Sequence, residues 1–423
     1  MITERIQLRP GVCLNYVHTD RFKTGCFSFN LLRPLTMEDA APNALLPSIL
    51  LRGSKAYPDM QQISHRLDTL YGASCGTLVR KKGEVQSVGL YADFLEDRYA
   101  EGEAVFSQMM FFIRGLIFEP CQENGGFLAD YVAGEALNLS NTIDARINEK
   151  RAYAVSRLLK NMCAQESYAV PRLGEKETLE TVTAQNLFGR WQSMLADSPL
   201  ELFYLGQQPK SMVVEEMEKL AEALPERTLA AMPQTRILCP ERDVQYVEEV
   251  MDVTQGKLTI GLRTPITVHD ARYPAMMLLN AVYGSGMNSK LFEKIREEQS
   301  LCYYANSSMD KFKGIMVVGS GIEFSNYEVA RDGILHQLDL CKQGEITTDE
   351  LESARNYLLS ALRTGNDSPG RLDDYAIGQS IAGLSDSMED LSDQLRLVTM
   401  DQVVEAANTL VVDTVYFLKG GEA

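Results

Sequence analysis

The chain has 423 residues, enough for two or more ordinary domains, and its 45% hydrophobic and 23% charged residues allow a sizeable core under a soluble surface. Its 58 acidic residues against 41 basic ones give a net charge of -17. That balance argues against nucleic acid, whose phosphates reward Lys and Arg, and against anionic membrane surfaces.

The opening segment MITERIQLRPGVCLNYV has no apolar run of signal-peptide type, and no stretch approaches the roughly 18 apolar residues of a membrane span. A cytoplasmic protein is therefore expected. The eight cysteines are scattered without a Cys-x-x-Cys pair and read as reduced, packed thiols. The four histidines, His18, His65, His269 and His336, are far apart in sequence and form no local metal motif.

Alternating segments at 11–18 (GVCLNYVH) and 25–32 (GCFSFNLL) predict strands. An apolar helix precedes Gly53, and the Pro58-Asp59 signal starts a second helix over 59–71. Two strands, 75–81 and 84–92, flank a turn at Gly83, and amphipathic helices follow over 97–115 and about 126–162. A last helix begins at Thr183, with a strand at 200–206 behind it. The second half repeats the order, with capping boxes at Thr347-x-x-Glu350 and Thr399-x-x-Gln402.

The two halves also echo each other in residues. FSFNLLRP at 27–34 answers KLTIGLRTP at 257–265; Gly53-Ser54 answers Gly284-Ser285; Lys81-Lys82-Gly83 answers Lys311-Phe312-Lys313-Gly314; and Val182-Thr183 answers Val398-Thr399. The order is kept and the offset nearly constant, which predicts one plan used twice. The expected fold class is α+β: two homologous domains, each an antiparallel sheet with helices packed on one face. The domains are expected at 1–230 and 240–423, with the boundary inside the Pro- and Arg-rich stretch 225–245. Gly284-Ser285-Gly286 lacks the pattern of a phosphate loop and reads as a turn, as does Asp367-Ser368-Pro369-Gly370-Arg371, where a helix restarts.

Two segments, NALLPSILLRGSKAYPDMQQISHRLDTLYGAS and NAVYGSGMNSKLFEKIREEQSLCYYANSS, resemble the first- and second-domain segments of the insulinase and mitochondrial-processing-peptidase superfamily of zinc peptidases. The resemblance covers nearly the whole chain. Active members carry His-x-x-Glu-His on the first helix. Two His at i and i+4 share a helix face and grip one zinc, the Glu serves as general base, and a more distant Glu completes the ligands. Here Ala44 and Ser48 stand in the two His places and Pro47 in the Glu place, while Glu135 falls near the third-ligand place. The resemblance therefore implies a degenerate motif, no metal and no other cofactor. It also implies that Arg296 and Tyr303, seven apart in IREEQSLCY, bind substrate and stabilise an oxyanion, since a guanidinium and a phenol both donate hydrogen bonds to a developing negative oxygen. Arg296 as a solvated helix residue and Tyr303 as core are the plain alternatives.

The expected function is a catalytically inactive subunit of a heterodimeric insulinase-type metallopeptidase. It would have no peptidase activity alone, and its partners would be a zinc-bearing subunit of the same family and a peptide substrate, with no nucleic acid and no membrane. The alternative is a non-catalytic scaffold or peptide-binding protein of the same fold.

Overall fold

A computed structural model describes residues 2–240 and 242–421. In chain order, the first half forms strands β1 (Ile2–Arg9), β2 (Val12–His18) and β3 (Thr24–Pro34), helices α1 (Ala40–Leu50) and α2 (Met60–Thr69), strands β4 (Ser74–Lys82) and β5 (Val85–Leu95), and helix α3 (Val105–Phe118). A two-residue pair, β6 (Gln122–Glu123) and β7 (Gly126–Phe127), precedes α4 (Ala129–Asp144), α5 (Lys150–Met162), α6 (Ala184–Asp197), β8 (Leu200–Gly206) and α7 (Lys210–Glu222). The second half forms β9 (Gln245–Val250), β10 (Gly256–Arg263), α8 (Tyr273–Asn280), β11 (Cys302–Asp310), β12 (Ile315–Ile322), α9 (Tyr327–Gln343), α10 (Thr348–Gly365), α11 (Pro369–Ala382), α12 (Met388–Leu397), α13 (Met400–Asn408) and β13 (Val411–Lys419).

The first sheet runs β1-β2-β8-β3-β5-β4 and the second β11-β12-β10-β13-β9. Their pairings correspond strand for strand once β1 is set aside. In each sheet all neighbours are antiparallel except one pair, β2 with β8 and β9 with β13, which run parallel. The α+β duplicated plan read from the sequence thus holds at the level of topology. Capping boxes close the starts of α6 (Thr183 with Asn186), α10 (Thr347 with Glu350) and α13 (Thr399 with Gln402).

Two of the expected helices differ. The one expected from 97 starts only at Val105, because Glu101 and Gly102 take positive φ (51° and 96°), which no α-helix admits. The long one expected over 126–162 breaks into α4 and α5 at Ala145–Asn148, and the Glu149 side chain caps the restart by accepting from the Arg151 amide.

That break has a topological reason. The chain forms two compact units, and they differ from simple halves at 1–230 and 240–423. The first comprises 1–144, 170–234 and 367–381; the second comprises 145–169, 235–366 and 382–423. Each unit therefore takes one helix from the other half of the sequence, and the chain crosses at the α4–α5 break and just before Pro369.

In the first unit, β3 turns Phe27, Phe29 and Leu31 into the core, opposite Ala92, Leu90 and Val88 of β5. Residues of α1, α3, α6 and α7 cover this face, among them Trp191, whose indole N–H donates to the Ile117 carbonyl (3.0 Å). The opposite face is polar and carries α11. Ser28 donates to Asp373 (2.7 Å), Arg80 pairs with the same carboxylate, and Lys82 reaches Asp374 (2.6 Å). So a second helix-covered face joins the one expected.

The second unit repeats the arrangement with α5. Ala154, Leu158 and Met162 pack on Ile315, Val317, Tyr416 and Leu418, and Gly261 leaves room for Met162, whose sulfur a β-carbon there would meet at 2.5 Å. Behind α5, Glu166 lies between Arg263 (2.7 Å) and Lys313 (2.7 Å), and Arg263 also pairs with Asp413 (2.8 Å). All four side chains are under 5% exposed.

Glu166→Gln would leave the Lys313 charge without that carboxylate in the interior and Arg263 with Asp413 alone, and removing one member of a buried ion cluster costs about 3–5 kcal/mol. The expected result is a urea midpoint lowered in proportion. Burial alone would push the Glu166 carboxyl up, but hydrogen bonds from Arg263 and Lys313 hold it below its ordinary value. With the folded value depressed, this stabilisation is complete above the ordinary Glu value of about 4.3 and fades as pH falls below it. The urea midpoint of the native chain should therefore drop more steeply toward pH 3 than that of Glu166→Gln.

Candidate functional site

The first-unit positions lie on and beside α1. Its sequence AAPNALLPSIL is apolar nearly all round, and every residue but Ser48 is buried. Such a helix belongs inside a core, where it needs no polar face. Pro47 sits within it and withholds an amide from the ladder. Asn43 is tied to Gln86 (3.1 Å) and Arg190 (3.2 Å).

Glu135, on α4, does not stand alone. Arg52, just past the C-terminus of α1, reaches its carboxylate at 3.2 Å and stacks its guanidinium 4.8 Å from the Tyr131 ring centre. A guanidinium thus supplies the positive charge facing Glu135. Ala44 and Pro47 bring no donor atom, Ser48 brings a hydroxyl, and Glu135 is engaged, so these residues do not fit zinc. Among the described residues, no group of three or more His, Cys, Asp or Glu gathers as a metal set would require.

Arg296 and Tyr303 belong to the second unit, in a stretch of irregular backbone. Two helical segments of the wide π type, Ala281–Ser285 and Leu291–Glu298, flank the Gly286 turn. Gly286 donates back to Ala281 (3.1 Å) and Gln299 to Lys294 (3.2 Å), each five residues on. Ser300 takes the left-handed conformation, φ 52°, without being glycine. The β11–β12 register then slips between Cys302 and Tyr304, leaving Tyr303 as the extra residue of a bulge. Three rare backbone features within a dozen residues bracket Arg296 and Tyr303. π segments, bulges and left-handed non-glycine residues concentrate at functional sites.

Both side chains are exposed. Arg296 lies over the Phe292 ring at 4.8 Å with its Nε 3.5 Å from Glu297. Tyr303 is 60% exposed and donates its phenolic proton to Glu323 at 2.6 Å. The hydrogen bond to Glu323 and its charge hold the Tyr303 phenol above its ordinary ionisation value, so it stays a donor at neutral pH. Tyr304 is half-buried, its ring over Gly321 and 4.4 Å from the Arg151 guanidinium. No hydrogen bond joins Arg296 to Tyr303 among the described residues.

The description "Peptidase M16 inactive domain" fits residues 181–358. The chain is 32% identical over 413 residues to the "Probable inactive metalloprotease YmfF" of Bacillus subtilis (strain 168), covering 97% of this chain and 96% of that protein. The chain belongs to the M16 peptidase family. It is also 21% identical over 259 residues, 60% of this chain and 62% of the relative, to the "Uncharacterized zinc protease YmxG" of the same organism. A conserved protein from Enterococcus faecalis V583 of known crystal structure shares 28% identity and a TM-score of 0.90 over 99% of each chain.

This M16 homologue is thus similar along nearly its whole length to a protein described as a "Probable inactive metalloprotease". Among the described residues, no helix is long and apolar enough to cross a membrane. Three features of the region escaped sequence reading. Arg52 carried no signal for Glu135, 83 positions away. Strand alternation would set Tyr303 and Tyr304 on opposite faces, but it does not govern a bulge. Glu323 attracted no notice because its link to Tyr303 depends on that bulge.

Arg52→Ala should loosen the α1–α4 junction and destabilise the first unit by about 1 kcal/mol, the scale of a partly exposed pair. In a double-mutant cycle of thermal unfolding, Glu135→Gln should then add little.

Proposed function

We propose that the chain is the non-catalytic subunit of a heterodimeric M16 metallopeptidase, contributing substrate binding and transition-state stabilisation through Arg296 and Tyr303 to a zinc-bearing partner. The observation that carries this reading is the contrast between the two regions. The α1 positions are filled with apolar side chains, and the nearby carboxylate is engaged by Arg52. The motif that would hold zinc is read as lost. The Arg296–Tyr303 stretch instead keeps two exposed hydrogen-bond donors on an irregular backbone. A guanidinium and a phenol are suited to holding a peptide backbone and to meeting a developing oxyanion. That B. subtilis holds both an inactive-type and a zinc-protease-type relative supports a division of labour. The expected setting is the cytoplasm, and the expected domains, 1–230 and 240–423, are read as diverged copies of one ancestral half.

A non-catalytic scaffold or peptide-binding protein of the same fold is the second reading. It is favoured by the acidic partners that Arg296 and Tyr303 already have, Glu297 and Glu323.

The chain alone is expected to hold substoichiometric zinc by metal analysis and to cleave no labelled casein. Reconstituted with a zinc-bearing M16 subunit from the same genome, Arg296→Ala and Tyr303→Phe should each lower kcat/KM by about 100-fold, the scale of losing one oxyanion donor. Unchanged kcat/KM in both variants would leave the scaffold reading standing.

A further inference from the structure

A phenol has one proton to donate. Tyr303 gives it to Glu323, so the group that the proposed function assigns to a substrate oxygen is already engaged. The arrangement is built by the backbone. The Cys302–Tyr304 bulge turns Tyr303 out of the ladder opposite Ile322, the last residue of β12, and Glu323 follows Ile322 directly. Bulge and strand end thereby deliver both side chains to one corner of the sheet. Both are solvent-exposed, so the contact fills no core and satisfies no buried atom. Among the described residues, no Lys or Arg forms an ion pair with Glu323, and its carboxylate is left to the phenol.

We propose that Glu323 is a positioning residue that restrains Tyr303: in the free chain its carboxylate holds the phenolic O–H in a hydrogen bond, and a bound peptide oxygen must take over that hydrogen bond before Tyr303 can serve. This inference rests on the subunit reading above and adds a regulator to it. Glu323 itself touches no reacting atom. A bound carbonyl competes with a carboxylate for one donor, and an oxygen that gains negative charge competes better. The restraint therefore weighs more heavily on ground-state binding than on the transition state. Removing it should chiefly lower KM.

Two measurements test this. The first needs no partner. With tyrosine ring carbons isotopically labelled and the Tyr303 resonance assigned by its loss in Tyr303→Phe, NMR follows the ionisation of that phenol. Glu323→Gln should move its midpoint to lower pH, because the charge that holds it up is gone; an unmoved midpoint would overturn the proposal. The second uses the complex with the zinc-bearing subunit and labelled casein. Glu323→Ala should raise kcat/KM by about twofold to fivefold, the range of an exposed charged contact, mainly through KM. The same change combined with Tyr303→Phe should give nothing further. If Tyr303→Phe lowers kcat/KM while Glu323→Ala leaves it unchanged or lowers it, the restraint is wrong and the subunit reading survives. If Tyr303→Phe changes nothing, both fall together.

Discussion

Glu166 sits between Arg263 and Lys313, all three side chains buried, and this contact ties the segment 145–169 to the sheet of the second unit. The carboxylate comes from a segment of the first half; the two cations come from β10 and from the turn before β12. None of the three could be buried alone, since an unpaired interior charge is far too costly. Folding of the second unit therefore requires residues 145–169 to arrive, and a cooperative link between the two halves of the chain is written into its electrostatics.

The same logic appears in the first unit at the equivalent positions of the repeat. Lys82 corresponds to Lys313, and it too receives a carboxylate from an exchanged segment, that of Asp374 on α11. Arg33 corresponds to Arg263, and each pairs with an aspartate of its own unit, Asp197 at 2.6 Å and Asp413 at 2.8 Å. Two basic positions thus keep acidic partners across the duplication, one from within the same half of the sequence and one from the exchanged segment. The copies differ in solvent exposure. Arg33 and Asp197 are 19% and 33% exposed and Asp374 is 50% exposed, whereas the Arg263 cluster is sealed. Since the strength of such pairs rises with burial, the exchange in the second unit is the more tightly held at its lysine, while Asp373 with Arg80 and Ser28 provides the buried contact in the first.

These contacts show what a linear reading can and cannot reach. Strand alternation, capping boxes and the regular offset between halves are local or periodic signals, and they disclosed both sheets and the duplication. The exchange of α5 and α11 left only faint traces: a polar spot near Ala145–Asn148 in an otherwise helical pattern, and the Asp367–Arg371 turn. The second was legible as a local break, the first was read through as helix, and neither was legible as a crossing, because which sheet a helix covers is decided by partners more than a hundred residues away. The site divides similarly. That Ala44, Pro47 and Ser48 offer no metal donor set follows from residue identity. That Glu135 faces Arg52, or Tyr303 faces Glu323, follows only from the fold.

The apolar character of α1 completes the physical picture. A helix that carries metal ligands must expose one polar stripe to a cavity and is anchored there by its ion. With Ala44, Pro47 and Ser48 in place, α1 has no such stripe; it is anchored by burial of Leu45, Leu46, Ile49 and Leu50 and by the Arg52–Glu135 pair at its end. Four aliphatic side chains at about 1.5–3 kcal/mol each far exceed the cost of one interior proline amide, near 3 kcal/mol. Hydrophobic packing can therefore hold this helix where a metal would otherwise help to do so. The first unit thus needs no ion at α1 to keep its fold.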